Sequence, residues 1–127
     1  MWIANATKPE ISNAVREVAR LAHDPCGRHW SAALKIVQYL NGTRVKGITY
    51  VKSPSSKLEA YADSSFAENK LDRRSLSGGA VLYSGGAVSW FSRTQHFVTL
   101  STAESEHVAL TEVTRVVIFL RQNLDFN

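Results

Sequence analysis

Apolar residues change their spacing twice along this chain, and no other feature restricts its fold as much. Up to Leu40 they recur at helical intervals, from Gly47 they alternate, and after Ser101 helical spacing returns. That order predicts an α/β (α+β) architecture: an N-terminal αα-hairpin, then antiparallel strands, then one long C-terminal helix.

Thr7 and Glu10 are spaced as a capping box, with Pro9 in the first turn where its missing N–H costs nothing. Ile11, Ala14, Val15, Val18 and Ala22 continue at helical spacing until Asp24-Pro25 stops the helix. A second helix is predicted from about Arg28 to Leu40, with Trp30, Ala33, Leu34, Val37 and Leu40 as its inward stripe. Asn41-Gly42 is read as its left-handed exit.

Ile48 to Val51 reads as a first strand, followed by the Ser53-Pro54-Ser55-Ser56 loop, where we place a soft boundary. Two domains are therefore expected, 1–52 and 57–127. In the next strand Leu58, Ala60 and Ala62 take one side and Glu59, Tyr61 and Asp63 the other. Residues 64–77 read as a polar loop. Strands at Gly79 to Tyr83 and Ala87 to Phe91 flank a Ser84-Gly85-Gly86 hairpin turn.

Ser101 to Glu104 is a second capping box, and Glu106, Leu110, Val113, Val117, Leu120 and Leu124 then mark one helix face. The box accounts for Glu104, whose carboxylate reaches back to the Ser101 N–H. It does not account for Glu106. A carboxylate entering an apolar face is costly unless charge meets it, and a metal ion is one such charge. The bland alternatives are a rim position in water or an ion pair with Arg73 or Arg74. Asp63, at a strand end, has its own: an aspartate opening a loop satisfies nearby N–H groups.

Composition excludes several classes. Hydrophobic content of 44% and charge of 20% suit a folded domain. One cysteine, Cys26, gives no disulfide framework, which fits an intracellular setting, cytoplasmic or nuclear. The longest apolar run, Val116 to Leu120, is far below the roughly 20 residues that span a bilayer, so no membrane partner is expected. A net charge of +4 permits nucleic-acid contact without requiring it. His23, Cys26 and His29 have zinc-ligand chemistry, but they offer three ligands where structural zinc takes four.

Motifs along nearly the whole chain resemble those of the Pol polyprotein of copia-type LTR retrotransposons. Asn5-Ala6-Thr7-Lys8-Pro9-Glu10-Ile11, His29 and Tyr39-Leu40-Asn41-Gly42-Thr43 resemble the tail that follows the reverse transcriptase palm. Ala60-Tyr61-Ala62-Asp63, Asp72-Arg73-Arg74-Ser75, Ser77-Gly78, Ala87-Val88-Ser89-Trp90, Gln95 and Leu100 to Glu106 resemble the first half of its ribonuclease H domain.

The resemblance implies a truncated ribonuclease H-like fold in 57–127. It implies a parent activity of metal-dependent hydrolysis of RNA in RNA·DNA hybrids, with two Mg²⁺ ions. Asp63 and Glu106 would be the catalytic, metal-holding carboxylates. Lys70, Arg73, Arg74 and Arg93 would contact nucleic acid. No polymerase carboxylates match, and the family's later carboxylates lie beyond this sequence, so activity is expected to be lost by truncation. The strand bearing Asp63 would have an open edge, which predicts poor stability or self-association. Further partners would be the remainder of a Pol polyprotein. The alternative is a non-enzymatic, transposon-derived nucleic-acid-binding or interaction protein.

Overall fold

The computed structural model describes residues 2–51, 57–69 and 72–124. They form an α+β chain of two compact units, Met1–Ile48 and Thr49–Asn127. The predicted loop at residues 53–56 lies outside the described residues, as do Lys70 and Asp125.

The first unit is helical. A short helix α1, Trp2–Ala6, which the sequence reading missed, precedes a 3-10 turn at Pro9–Ile11, then α2 at Ser12–Arg20 and α3 at Gly27–Gly42. The predicted capping box between Thr7 and Glu10 does not form. The Thr7 hydroxyl bonds back to the Ile3 carbonyl, and the turn has no side-chain cap. Lys8 acts in another way. It is buried, and its Nζ donates to the Thr43 carbonyl at 3.0 Å and the Lys46 carbonyl at 2.6 Å, with Glu10 3.6 Å away. An ammonium there ties together the chain just past the end of α3, where the Thr43 carbonyl also accepts the Lys46 N–H, and meets the negative end of the helix dipole. It replaces the left-handed exit predicted at Asn41-Gly42: Gly42 is helical, and Thr43 ends α3 at φ −120°.

The inward stripe of α3 is corrected in part: Ala33 and Leu40 are half-buried as expected, but Trp30, Leu34 and Val37 are exposed. Ala32, Ile36 and Tyr39 line a groove of about 510 Å³ with Ile11, Ala14 and Val18, while Trp30 is 66% and Val37 60% exposed. Both stripes have helical spacing.

The second unit is a three-stranded antiparallel sheet, order β1-β2-β3, with β1 at Leu58–Ser65, β2 at Leu76–Tyr83 and β3 at Gly86–Thr94, closed by α4 at Thr102–Leu124. The strand predicted at Ile48 to Val51 is absent. Those residues join no ladder; Val51 N–H meets the Ser84 carbonyl, and the Tyr50 hydroxyl meets that of Ala87. The predicted polar loop is shorter than 64–77, because the pairing of β1 with β2 runs out to Ser65 and Leu76. The hairpin turn puts Ser84 and Gly85 at φ 52° and 77°, the mirror-image geometry that matches strand twist. Val88 is the extra residue of a bulge, since Val81 pairs with Ser89 and Leu82 with Ala87.

Helix α4 packs on β1 and β2. It comes close because Gly79 has no side chain: a Cβ there would lie 2.5 Å from the Phe91 ring and 2.6 Å from Val113 Cγ2. The helix sinks small residues into that approach, so its buried line is Ser105, Ala109 and Val113. Leu110, placed on the inward face by its spacing, is 54% exposed.

Candidate functional site

The order strand, hairpin, helix brings the two candidate carboxylates to one end of the sheet. Ser64 Oγ and Ser105 Oγ lie 2.8 Å apart. Asp63 precedes the first of these serines and Glu106 follows the second. Each carboxylate is thus one residue from a shared contact, although they are far apart in the chain.

Their directions differ. Ser64 faces α4, so strand alternation turns Asp63 to the opposite face, where it is exposed and paired with Gly78. Glu106 is half-buried. Its place on α4 follows from the helix turn of about 100° per residue. One flank of α4, with His107, Val108, Thr111 and Glu112, borders a hollow of about 330 Å³ shared with His96 and Phe97, beyond β3. Glu106, Leu110 and Val117 occupy the other flank, over β1. Both carboxylates therefore flank β1, which among the described residues pairs on its inner edge alone. Neither accepts a hydrogen bond or an ion pair from the described residues.

A seam of buried polar side chains supports this end of the sheet. Ser75, Ser77, Gln95, Thr99 and Ser105 are all within 2% of full burial. Ser75 and Thr99 hydroxyls meet at 2.8 Å, and Ser75 accepts the Ala67 N–H. Gln95 Nε2 donates to Ser77 Oγ and to the Ser105 carbonyl, both at 3.0 Å, and its Oε1 has no partner among the described residues. Ser105 Oγ reaches the Thr102 carbonyl. The seam ties the loop after β1, the segment after β3 and the first turn of α4 together. Sequence reasoning quoted most of these residues as motif letters without giving them a role. The signal was present in Ser75 and Ser77, which alternate onto one face.

The basic residues are scattered. Arg74 pairs with Asp72 at 3.7 Å, and Asp72 also accepts the Arg74 N–H. Arg73 is exposed at φ 58°, its N–H on the Asn69 carbonyl. Arg93 stacks 4.3 Å from the Phe91 ring centroid. Glu104 caps α4 one residue earlier than anticipated: its carboxylate takes the Leu100 N–H, while Ser101 Oγ takes the Glu104 N–H. Cys26 and His29 cap α3, with His29 Nδ1 accepting the Cys26 N–H. Among the described residues no group of three or more His, Cys, Asp or Glu side chains is arranged to hold a metal ion, and no helix is long and apolar enough to cross a membrane.

The fold is α+β, a strand-hairpin-helix unit beside a helical one; relatives supply the family. The retrovirus-related Pol polyprotein from transposon TNT 1-94 of Nicotiana tabacum is 36% identical over 98% of this chain and 9% of its own length. That from transposon RE1 of Arabidopsis thaliana is 36% identical over 80% of this chain and 7% of its own length. Secreted RxLR effector protein 161 of Plasmopara viticola is 36% identical over 94% of this chain and 84% of its own length. No protein-family model matches the chain, and no solved structure does. The chain belongs to the retrovirus-related Pol polyproteins of copia-type transposons, and corresponds to a small part of their length.

Proposed function

We propose that this Pol-derived chain carries part of a ribonuclease H-like site, whose parent activity is hydrolysis of RNA in RNA·DNA hybrids, with Asp63 and Glu106 as its metal-holding carboxylates. The observation that supports it most is the Ser64–Ser105 contact, which sets both acids beside the same strand. That neither has a partner among the described residues suits a hard cation completed by water and phosphate oxygens. A divalent ion held by both would sit at the open edge of β1 and would supply Lewis-acid chemistry there. A two-ion clamp, with ions about 3.5–4 Å apart, asks for further oxygen ligands. These residues alone therefore bind a divalent ion weakly and leave the hybrid uncut. Arg73, Arg74 and Arg93 would add phosphate contacts that weaken with salt; Lys70 falls outside the described residues.

The test is Mg²⁺ titration of the chain and incubation with an RNA·DNA hybrid, for the parent sequence, Asp63→Asn and Glu106→Gln. Weak Mg²⁺ binding lost in both variants, without cleavage, is the expected result. Cleavage lost in both variants would restore an active enzyme. Binding that survives both substitutions would remove the site.

A second reading is a non-enzymatic interaction or nucleic-acid-binding protein derived from a transposon. It is favoured by the effector relative, which matches over most of its own length. Under this reading hybrid binding, if present, is indifferent to Asp63→Asn and Glu106→Gln.

A further inference from the structure

We propose that Gln95 is a positioning residue of the candidate site: its side-chain amide fixes the direction in which Glu106 leaves α4, and so the spacing at which Glu106 and Asp63 share an ion. That role rests on the ribonuclease H-like reading of the two acids. Gln95 follows the last residue of β3 and is 1% exposed. Its Nε2 carries two hydrogens and uses both, one on Ser77 Oγ of β2 and one on the Ser105 carbonyl of α4. Its backbone N–H is held as well, on the Ser75 carbonyl at 2.9 Å.

The two amide bonds close a ring of contacts beside the acids. Ser77 pairs with Ser64 across the β1–β2 ladder, and the neighbouring pair is Asp63 with Gly78. Ser64 in turn meets Ser105 at 2.8 Å. Ser64, Ser77, Gln95 and Ser105 are thus each linked to the next, with Asp63 beside one member and Glu106 beside another. Ser105 is held at two atoms, its hydroxyl by Ser64 and its carbonyl by Gln95. One contact sets a distance and leaves the turn free to swivel about it; the second removes the swivel. This end of α4 needs it most, because the N–H groups of a first turn lack intrahelical partners. Ala109 and Val113 pack the helix only further along.

The chemistry of the amide agrees with this role. Reversing it would turn Oε1 onto the Ser105 carbonyl, two acceptors in contact, so the partners themselves fix its orientation. The Ser105 carbonyl lies inside α4, where the N–H four residues on is the regular partner; the Gln95 bond comes on top of that one. Meanwhile Oε1 is buried with no partner among the described residues. A buried acceptor without a donor is destabilising, and an apolar side chain would leave none. Stability alone therefore does not account for an amide at this place, whereas orienting the first turn of α4 does.

The test is Mg²⁺ titration of the full chain followed by amide chemical shifts, with residual dipolar couplings measured in metal-free buffer and a thermal melt for each variant. In Gln95→Met the couplings of residues 102–106 should depart from the parent's while those of the sheet stay put. Mg²⁺ affinity should fall about tenfold or more, the usual loss when a group behind a metal ligand is removed. Ser77→Ala keeps the Ser105 bond but frees the amide from β2, so it should move both readouts less and in the same direction; it carries the test if Gln95→Met does not fold. Thr99→Val is the control for a bond lost elsewhere in the seam: it removes the Ser75–Thr99 hydroxyl contact and should lower the melt with affinity unchanged. Couplings that do not move, or an affinity in Gln95→Met equal to that of Thr99→Val, overturn the positioning role while Asp63→Asn and Glu106→Gln still abolish binding. No Mg²⁺ binding by the parent chain, or binding that survives those two substitutions, overturns the nuclease reading and this role with it.

Discussion

Ser64 of β1 and Ser105 of α4 share a hydroxyl contact of 2.8 Å, and that contact fixes the first turn of the long helix against the strand that carries Asp63. Ser105 is fully buried and also donates to the Thr102 carbonyl. The pair is a polar pin where an apolar contact would be the usual solution.

Removing both halves of that pin should cost less than the two single removals added together. Ser105→Ala leaves the Ser64 hydroxyl without its partner, a loss of about 1–3 kcal/mol. The double variant Ser64→Ala with Ser105→Ala should fall short of the summed single losses. Urea denaturation of the four species gives the coupling directly.

Gly79→Ala should destabilise by about 1–3 kcal/mol through overpacking, since the new Cβ meets the Phe91 ring and Val113. Trimming the obstruction with Phe91→Leu in the Gly79→Ala background should recover part of the loss. Thermal melts of both variants check this.

Lys8→Met should loosen the end of α3. The substitution removes the ammonium bonds to the Thr43 and Lys46 carbonyls, leaving Thr43 with the Lys46 N–H alone. A cost of about 1.5–3 kcal/mol is expected for losing hydrogen bonds to a charged group. Amide hydrogen exchange should rise at residues 40–46 before it rises in α4.

Tyr39 gives a pH signature. Burial raises its phenol above the usual 10.0, and Glu10, 3.4 Å away, adds to this by its charge and by accepting the hydroxyl hydrogen. A raised value in the folded state means that the folded chain holds its proton longer. The contribution to stability is complete below 10.0 and fades as pH climbs from there through the raised value. Ultraviolet titration should show one tyrosine ionising late, and Glu10→Gln should bring it back toward the others.

The sequence made the large elements legible because their signals are local. Capping at Ser101, the Ser84-Gly85 turn and the alternation before Asp63 each rest on a few neighbouring residues, and β1, β2, β3 and α4 follow them. What was not legible depends on partners distant in the chain. Thr7 is spaced for a cap, yet the nearby Lys8 is drawn to the end of α3. Leu110 is spaced for the core, yet Gly79 draws the smaller Ser105 and Ala109 inward instead. For the candidate site, Asp63 and Glu106 were readable by type and order. The serines, threonine and glutamine beneath them were not, because small polar residues look like loop until each one's partner is known.

That polar seam sets how the sheet unit responds to temperature. Exposing apolar surface raises the heat capacity of unfolding and exposing polar surface lowers it, to a usual net of about 12–15 cal/mol/K per residue. An interior built from Ser75, Ser77, Gln95, Thr99 and Ser105 around Val81, Ala109 and Val113 is expected to fall toward the low end of that range, which calorimetry would read. The expected consequence is a flatter stability curve, less bent toward both heat and cold.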